Sequence, residues 1–459
     1  MSRILRIKIN GLFGFLNHDI DLSHEGITFI HGPNGCGKTT ALKLISAFFD
    51  RDFIEVSRTR FDGIEIYYED GLIIKAVKEK KQEKLEKSEK LEKTAKRGVL
   101  KKSTLLKISL VSEDKELKTY DASSYGRYGR NGEISPAVID ELVPSLRRVG
   151  PRSWMDMRTG ERFMYAEILE RFADELPEPF SNKRPDWLLA RLDGAKLHFV
   201  QTQRLLKVSI DSMPHREGRN FINVIELYSE EIKKKISELL AQSAAVSQSR
   251  DRSFPQRLLS MKLDESYSED KIRSDYAITE QKIQKLMGSG LIELEKNISL
   301  PGQAFEATEK KVLSLYVEDI NNKLSIFDDM LKKIETFLGV VSPKLRSKSF
   351  KVNRVDGFLI ETTQGEPQKL EPAQLSSGEQ HQIVLFYELI FKSNDKSFFL
   401  IDEPEISLHI DWQRQFLADV SKVARLGDHT FLVATHSPQI IGVRRDLAVA
   451  LDGGILNEQ

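Results

Sequence analysis

Nine consecutive residues, Gly32 to Thr40, read GPNGCGKTT and match G-x-x-x-x-G-K-[ST] without a gap. They constrain the fold more than any other stretch, because this loop needs a buried strand before it and a helix after it. Both are expected here. The apolar run Ile27–Ile30 fits a short buried strand, and ALKLISAFF after the loop carries a helical apolar pattern. Gly35 and Gly37 let backbone N–H groups turn inward onto phosphate oxygens, and the positive end of the next helix aims at the same anion. Lys38 supplies a mobile positive charge to the β- and γ-phosphates, and Thr39 offers a hydroxyl to Mg²⁺. The loop thus implies ATP and Mg²⁺. Its nucleotide-binding residues are Gly32, Asn34, Gly35, Cys36, Gly37, Lys38, Thr39 and Thr40. Cys36 has two readings, a redox switch at a helix N-terminus and a permissive position where only the backbone matters.

A second cluster lies near the other end. In KSFFLIDEPEISLH the run Phe398–Ile401 fits a buried parallel strand that delivers Asp402 and Glu403 at its C-terminal edge, where ligands bind in open α/β sheets. Asp402 is placed to hold Mg²⁺ and Glu403 to polarise an attacking water. Glu405 is a second acidic candidate. Further on, TFLVATHSPQII is another apolar strand, ending in His436, whose neutral imidazole could hydrogen-bond a γ-phosphate. Before the acidic strand, EPAQLSSGEQHQIVLFYELIF places Ser376, Ser377 and Gly378 at the start of a largely apolar helix. That is either a second anion site or an ordinary Ser N-cap with Glu379 in the first turn.

GPNGCGKTT, LSSGEQ, FFLIDEPEISLH and ATHS in that order resemble the ABC-type ATPases, in the branch of structural-maintenance, RecF-like and OLD-like proteins. The resemblance implies an α/β fold, an ABC-type P-loop ATPase head with a mixed sheet and flanking helices, split by a helical, short coiled-coil-like insertion. It implies that the signature of one subunit closes over the nucleotide held by the other. Ser376, Ser377 and Gly378 would then act in trans, in a homo-oligomer of at least two chains. It also implies a glutamine loop. AKLHFVQTQRLLKV is the candidate, with a strand end at Leu197–Val200 and Gln201 or Gln203 as the Mg²⁺ ligand; Gln203 is favoured because Arg204 follows it. The site set is therefore Glu403 and His436 as catalytic residues and Thr39, Gln203 and Asp402 as metal ligands.

The head is expected in two lobes, residues 1–210 and 350–459, around an insertion over 211–349. EEIKKKISELLAQ, EDKIRSDYAITEQKIQKLM and VEDINNKLSIFDDMLKKIETFLG all show apolar residues at helical spacing, with a break near Pro301–Gly302. Two arms of about fifty residues reach only about 75 Å, too short for the arms of chromosome-organising proteins. Lys78–Arg97, KEKKQEKLEKSEKLEKTAKR, is expected as a charged arm at the tip of a hairpin between GLIIKAV and LLKISLV. It reads as a partner or nucleic-acid surface, or as a solvated arm. Arginines 127, 130, 147, 148, 152, 158 and 162, near Trp154 and Tyr165, form a mixed patch suited to phosphates or an acidic partner.

Composition narrows the function class. Lys+Arg and Asp+Glu are both 69, which argues against a chain built to coat nucleic acid. One cysteine excludes a disulfide framework and a multi-Cys zinc site. No apolar run is long enough to span a membrane, and the N-terminus alternates like a strand without a cleavage pattern, so a cytoplasmic protein is expected. Only Ser437–Gln459 follow the histidine, leaving no room for the Toprim domain of OLD-like nucleases; the expectation is that any nuclease lies on a separate chain. In this compact form the sequence resembles the ATPase subunits of bacterial anti-phage systems. The PARIS type holds a Toprim nuclease until a viral protein arrives, and the Septu type works with an HNH nuclease. A RecF-like ATPase that clamps duplex DNA is the competing reading, and a nucleotide-dependent scaffold with little turnover is a third.

Overall fold

The computed structural model describes residues 3–79, 105–113, 115–122, 136–150, 152–172, 175–176, 184–194, 196–209, 220–261, 268–293, 300–393 and 395–451. They form two compact units, Met1–Gln203 with Val208–Phe221 and Ser393–Gln459, and Arg204–Lys207 with Ile222–Lys392.

The first unit is layered. Its centre is an all-parallel sheet in the order Leu197–Val200, Phe398–Asp402, Thr430–Ala434, Ile27–His31, Ala448–Ala450. The central strands are largely apolar and buried because both faces are covered, whereas the outer strands Leu197–Val200 and Ala448–Ala450 are partly exposed. Phe398, Leu400, Leu432 and Ile30 pack on the helix Lys38–Phe49, and Phe49 meets Phe398 edge to face at 6.3 Å. The opposite face stacks Phe399 on Phe431 at 5.0 Å. An antiparallel six-stranded sheet covers the helix from its other side, in the order Leu16–Asp21, Ile4–Leu12, Gly63–Tyr68, Ile73–Glu79, Leu105–Ser112, Lys115–Asp121. Its strands alternate: Ile7, Ile9, Ile20, Ile64, Ile66, Ile74 and Ile108 point to the core, while Arg6, Lys8, Asp19 and Glu65 lie outside it. The expected mixture of strand directions is thus divided, with the parallel strands in one sheet and the antiparallel strands in others.

The strands expected on either side of the charged arm pair with each other, Ile73 opposite Val111. Residues 80–104, which hold nearly all of that arm, lie outside the described residues, as do Arg127 and Arg130. Of the other arginines singled out, Arg148 and Arg158 bridge Asp140 and Asp156, and Arg152 lies over the Tyr165 ring.

The second unit holds the helices Val224–Ser260, Glu269–Gly288, Ala307–Leu324 and Asp328–Val341. The Pro301–Gly302 break falls between two of them. Asn223 and Ser268 cap two helix starts with side-chain oxygens. Asp319, buried on one helix, accepts both guanidinium arms of Arg257 at 2.7 and 2.8 Å.

This unit extends past the expected boundary at residue 350, through a three-stranded sheet (Lys348–Asn353, Gly357–Thr362, Lys369–Leu370) and the helix Ser377–Phe391. The reason is aromatic packing. Phe337 meets Phe350, Phe358 and Phe391 at 5.4–5.9 Å, and Tyr228 stacks on Tyr387 at 4.3 Å. Gly357 makes the turn there with φ +73°, and a Cβ on it would lie 2.1 Å from the Ser229 carbonyl oxygen.

Candidate active site

Three parallel strands end on the same edge, and each continues into a functional segment. The phosphate loop follows Ile27–His31, Asp402 closes Phe398–Asp402, and His436 stands two residues past Ala434. Parallel register is what aligns these ends, with Asp402 opposite Ala434 and Ala434 opposite Ile30.

The loop turns into its helix at Gly37, with φ +86°. A Cβ there would meet Leu12 at 2.9 Å, so glycine serves both conformation and packing. Lys38 opens the helix and is 5% exposed. Its ammonium donates to the carbonyls of Gly32 at 2.9 Å and Pro33 at 3.2 Å, and lies 3.6 Å from the buried Cys36 Sγ. It also stands 3.5 Å from His436 Nδ1. Asn34 and Gly35 are exposed at the loop tip, while Thr39 and Thr40 are half-buried.

Thr39 Oγ1 donates to Asp402 Oδ1 at 3.0 Å, and Asp402 is 4% exposed. The other carboxylate oxygen is engaged by the Thr202 hydroxyl at 3.3 Å. Thr202 was not a sequence candidate. The signal was present in its position: Val200 pairs opposite Ile401, so a residue two places on reaches the Asp402 carboxylate. Gln201 and Gln203 are both exposed, and Gln203 makes no side-chain hydrogen bond among the described residues. Arg204 belongs to the second unit, where it donates to His381 Nδ1 at 3.2 Å.

Glu403 sits at φ +45° directly after the strand, an uncommon conformation for a residue with a Cβ. Its N–H donates to the Ala434 carbonyl, and its Oε1 lies 3.7 Å from His436 Nε2. The histidine ring therefore stands between an ammonium, which only donates, and a carboxylate, which accepts. The neutral tautomer that suits both neighbours carries its proton on Nε2. Glu405 differs from Glu403. Both its oxygens are occupied, by the Thr435 hydroxyl at 2.9 Å and the His436 N–H at 2.6 Å. Of the two carboxylates left open by the sequence, Glu405 is engaged on both oxygens, and Glu403 is the one beside the His436 ring.

An oxygen-only pair, Thr39 and Asp402, suits Mg²⁺, which takes one or two protein oxygens and completes its shell with water and phosphate. Among the described residues no group of three or more His, Cys, Asp or Glu side chains could hold a metal ion.

The signature residues are in the second unit. Ser376 is the N-cap of Ser377–Phe391 in a capping box. Its N–H and hydroxyl donate to Glu379 Oε2 at 2.9 and 2.8 Å, and Glu379 is bridged by Lys348 at 2.7 Å. Burial pushes the Glu379 carboxyl up, but Lys348 and Ser376 outweigh it and hold it below the usual range.

A sequence profile described as "AAA ATPase domain" matches residues 197–441, more than half of the chain, and a second described as "AAA domain" matches residues 6–124. The chain belongs to the AAA ATPase domain family. Among curated proteins, the ATPase is similar to UvrABC system protein A of Oceanobacillus iheyensis, 37% identical over 67 residues, 15% of this chain and 7% of that protein. It is also similar to UvrABC system protein A of Clostridium tetani, 24% identical over 175 residues, 37% of this chain and 18% of that protein. The ATPase thus spans less than a fifth of either relative. Among solved structures, it is similar to the Smc head domain with an extended coiled coil from Pyrococcus furiosus, bound to the C-terminal domain of ScpA. The identity is 14%, coverage 96% of this chain and 91% of that one, and the TM-score 0.31. The SMC head domain from Thermotoga maritima gives 10%, 97% and 92%, and 0.30. Among the described residues no helix is long and apolar enough to cross a membrane.

Proposed function

We propose that this ATPase binds Mg²⁺-ATP, hydrolyses it to ADP and phosphate, and works as a nucleotide-gated switch in antiviral defence. The observation that carries the catalytic part is the convergence on one sheet edge of Lys38 and Thr39 with Asp402, Glu403 and His436, from opposite ends of the chain. Lys38 would exchange the loop carbonyls for β- and γ-phosphate oxygens. Thr39 and Asp402 would hold Mg²⁺, with Thr202 fixing the Asp402 carboxylate. When bound, Mg²⁺ would neutralise charge on the β- and γ-oxygens. Glu403 would orient and polarise the attacking water, and His436, through its Nε2–H, would donate toward the γ-phosphate. Gln203 would reach the γ-phosphate side only by moving inward from its exposed position.

The signature triplet Ser376, Ser377 and Gly378 would close over the nucleotide of a second copy, making the active form a homo-oligomer with composite sites. Nucleotide state would then set the geometry of the assembly and control a nuclease on a separate chain, Toprim-type in a PARIS-like organisation, with a viral protein as trigger. The defence reading is supported by DEPEISLH in a compact head with a short helical insertion. The test is the mass of the purified protein with and without ATP, alone and co-expressed with its genomic neighbour. A large homo-oligomer that captures the neighbour is expected. A monomer that dimerises only with ATP and duplex DNA, with DNA affinity falling steeply with salt, would replace this reading with a DNA clamp.

A further inference from the structure

The strands Phe398–Asp402 and Thr430–Ala434 stop together, and one last ladder bond, from Glu403 N–H to the Ala434 carbonyl at 2.9 Å, closes their pairing. Beyond it the two backbones separate. One passes through Glu403 and Ser407, at φ +45° and +64°, and the other turns into the short helix Pro438–Ile441. Past that point the Glu405 carboxylate ties them together, with Oε2 on the Thr435 hydroxyl and Oε1 on the His436 N–H. Thr435 is fully buried, and its own N–H donates to the Ile30 carbonyl on the phosphate-loop strand. The gripped segment is therefore fastened on both sides. The ring it carries stands against Lys38 and Glu403.

We propose that Glu405 is a positioning residue of the hydrolytic site: it holds the His436 backbone, and through it the imidazole, between the phosphate-loop lysine and the water-activating glutamate. This rests on the ATP-hydrolysis reading and deepens it. Side-chain chemistry separates a clamp from a base. A base must take or polarise a proton, so an amide in its place abolishes the role. A clamp needs only to accept. A glutamine oxygen at position 405 still accepts from the His436 N–H, and its NH₂ can donate to the Thr435 hydroxyl, which both donates and accepts. Alanine removes both contacts and leaves a buried hydroxyl and an N–H to be satisfied elsewhere.

The experiment is steady-state ATP turnover and affinity for a fluorescent ATP analogue on the full chain, with thermal midpoints as the control for folding. Glu405→Ala is expected to lower kcat about a hundredfold, the scale of an ångström-sized misplacement, with affinity unchanged. Glu405→Gln should stay within about tenfold of wild type, whereas Glu403→Gln should fall by about a hundredfold or more. Full activity in Glu405→Ala, equal loss in Glu405→Gln and Glu405→Ala, or affinity falling in step with kcat would each overturn the proposal. Should the alanine variant not fold, Thr435→Val removes one of the two grips, together with the hydroxyl that accepts from the Ser437 N–H at 3.0 Å. Lower kcat at unchanged affinity is expected there, and unchanged kcat overturns the clamp. A wild type without turnover would instead overturn the ATPase reading itself, which keeps the two failures apart.

Discussion

Glu403 Oε1 faces the His436 ring at 3.7 Å, while Glu405, two positions on, spends both oxygens on Thr435 and the His436 N–H. Nothing in DEPE distinguishes these surroundings; the left-handed turn at Glu403 accompanies side chains that meet different neighbours. Glu403→Gln is accordingly expected to keep nucleotide affinity and to lower kcat by about a hundredfold or more, read by single-turnover hydrolysis. Lys38→Ala should instead lose affinity for an ATP analogue in an equilibrium binding titration, because it removes the charge that meets the phosphates. A second effect belongs to histidines. Burial, with Arg204 beside it, lowers His381 from 6.5 to about 4, and burial also lowers His18 and His198. These rings stay neutral in the fold but charge when unfolded. The contribution of His381 to stability is therefore complete above pH 6.5 and is lost as pH falls toward 4, and His18 and His198 act in the same direction. The thermal midpoint should drop across that window, and more shallowly in His381→Gln.

Among the elements, the helix Ser377–Phe391 shows how one segment can serve packing and chemistry together. Its N-terminus is closed by a complete capping box, the ordinary structural reading of SSGE, and its body carries Tyr387 and Phe391 into the aromatic cluster around Phe337. Ser376→Ala should therefore cost about 1 kcal/mol of stability through the lost cap, whatever it does to turnover. The turn at Gly357 is a sharper test of the same packing. Its left-handed φ, and the 2.1 Å that would separate an added Cβ from the Ser229 oxygen, predict that Gly357→Ala destabilises the protein by more than about 1 kcal/mol, measured by urea unfolding. The strand Leu197–Val200 matters through register alone. Its pairing with Phe398–Ile401 is what delivers Thr202 to Asp402.

At the scale of the whole molecule, one chain carries one phosphate loop and one signature, and the two fall in different compact units. If sites are shared between copies, Ser376→Arg and Lys38→Ala should each be inactive alone and regain turnover when mixed, since a mixed pair rebuilds one intact site. No recovery in the mixture, measured as phosphate release after co-refolding or subunit exchange, would count against composite sites.

Local sequence determined much of this protein. The apolar runs before the loop and before Asp402 are strands within a residue of their expected ends, and the run before His436 stops two residues earlier, at Ala434, because a strand buried on both faces has to be continuously apolar. The loop glycines and the helical spacing of residues 224–341 were equally legible, since both express backbone conformation and one-dimensional period. The tertiary structure alone decided the remainder. It assigned residues 350–392 to the helical unit, because ring packing around Phe337 is a contact between distant segments that no local pattern encodes. It placed the parallel strands in one sheet and the antiparallel strands in others, set Glu405 on the His436 N–H, and brought Thr202 to Asp402. Those distinctions depend on which atoms meet across strands far apart in the chain, and register between such strands exists only once they are paired.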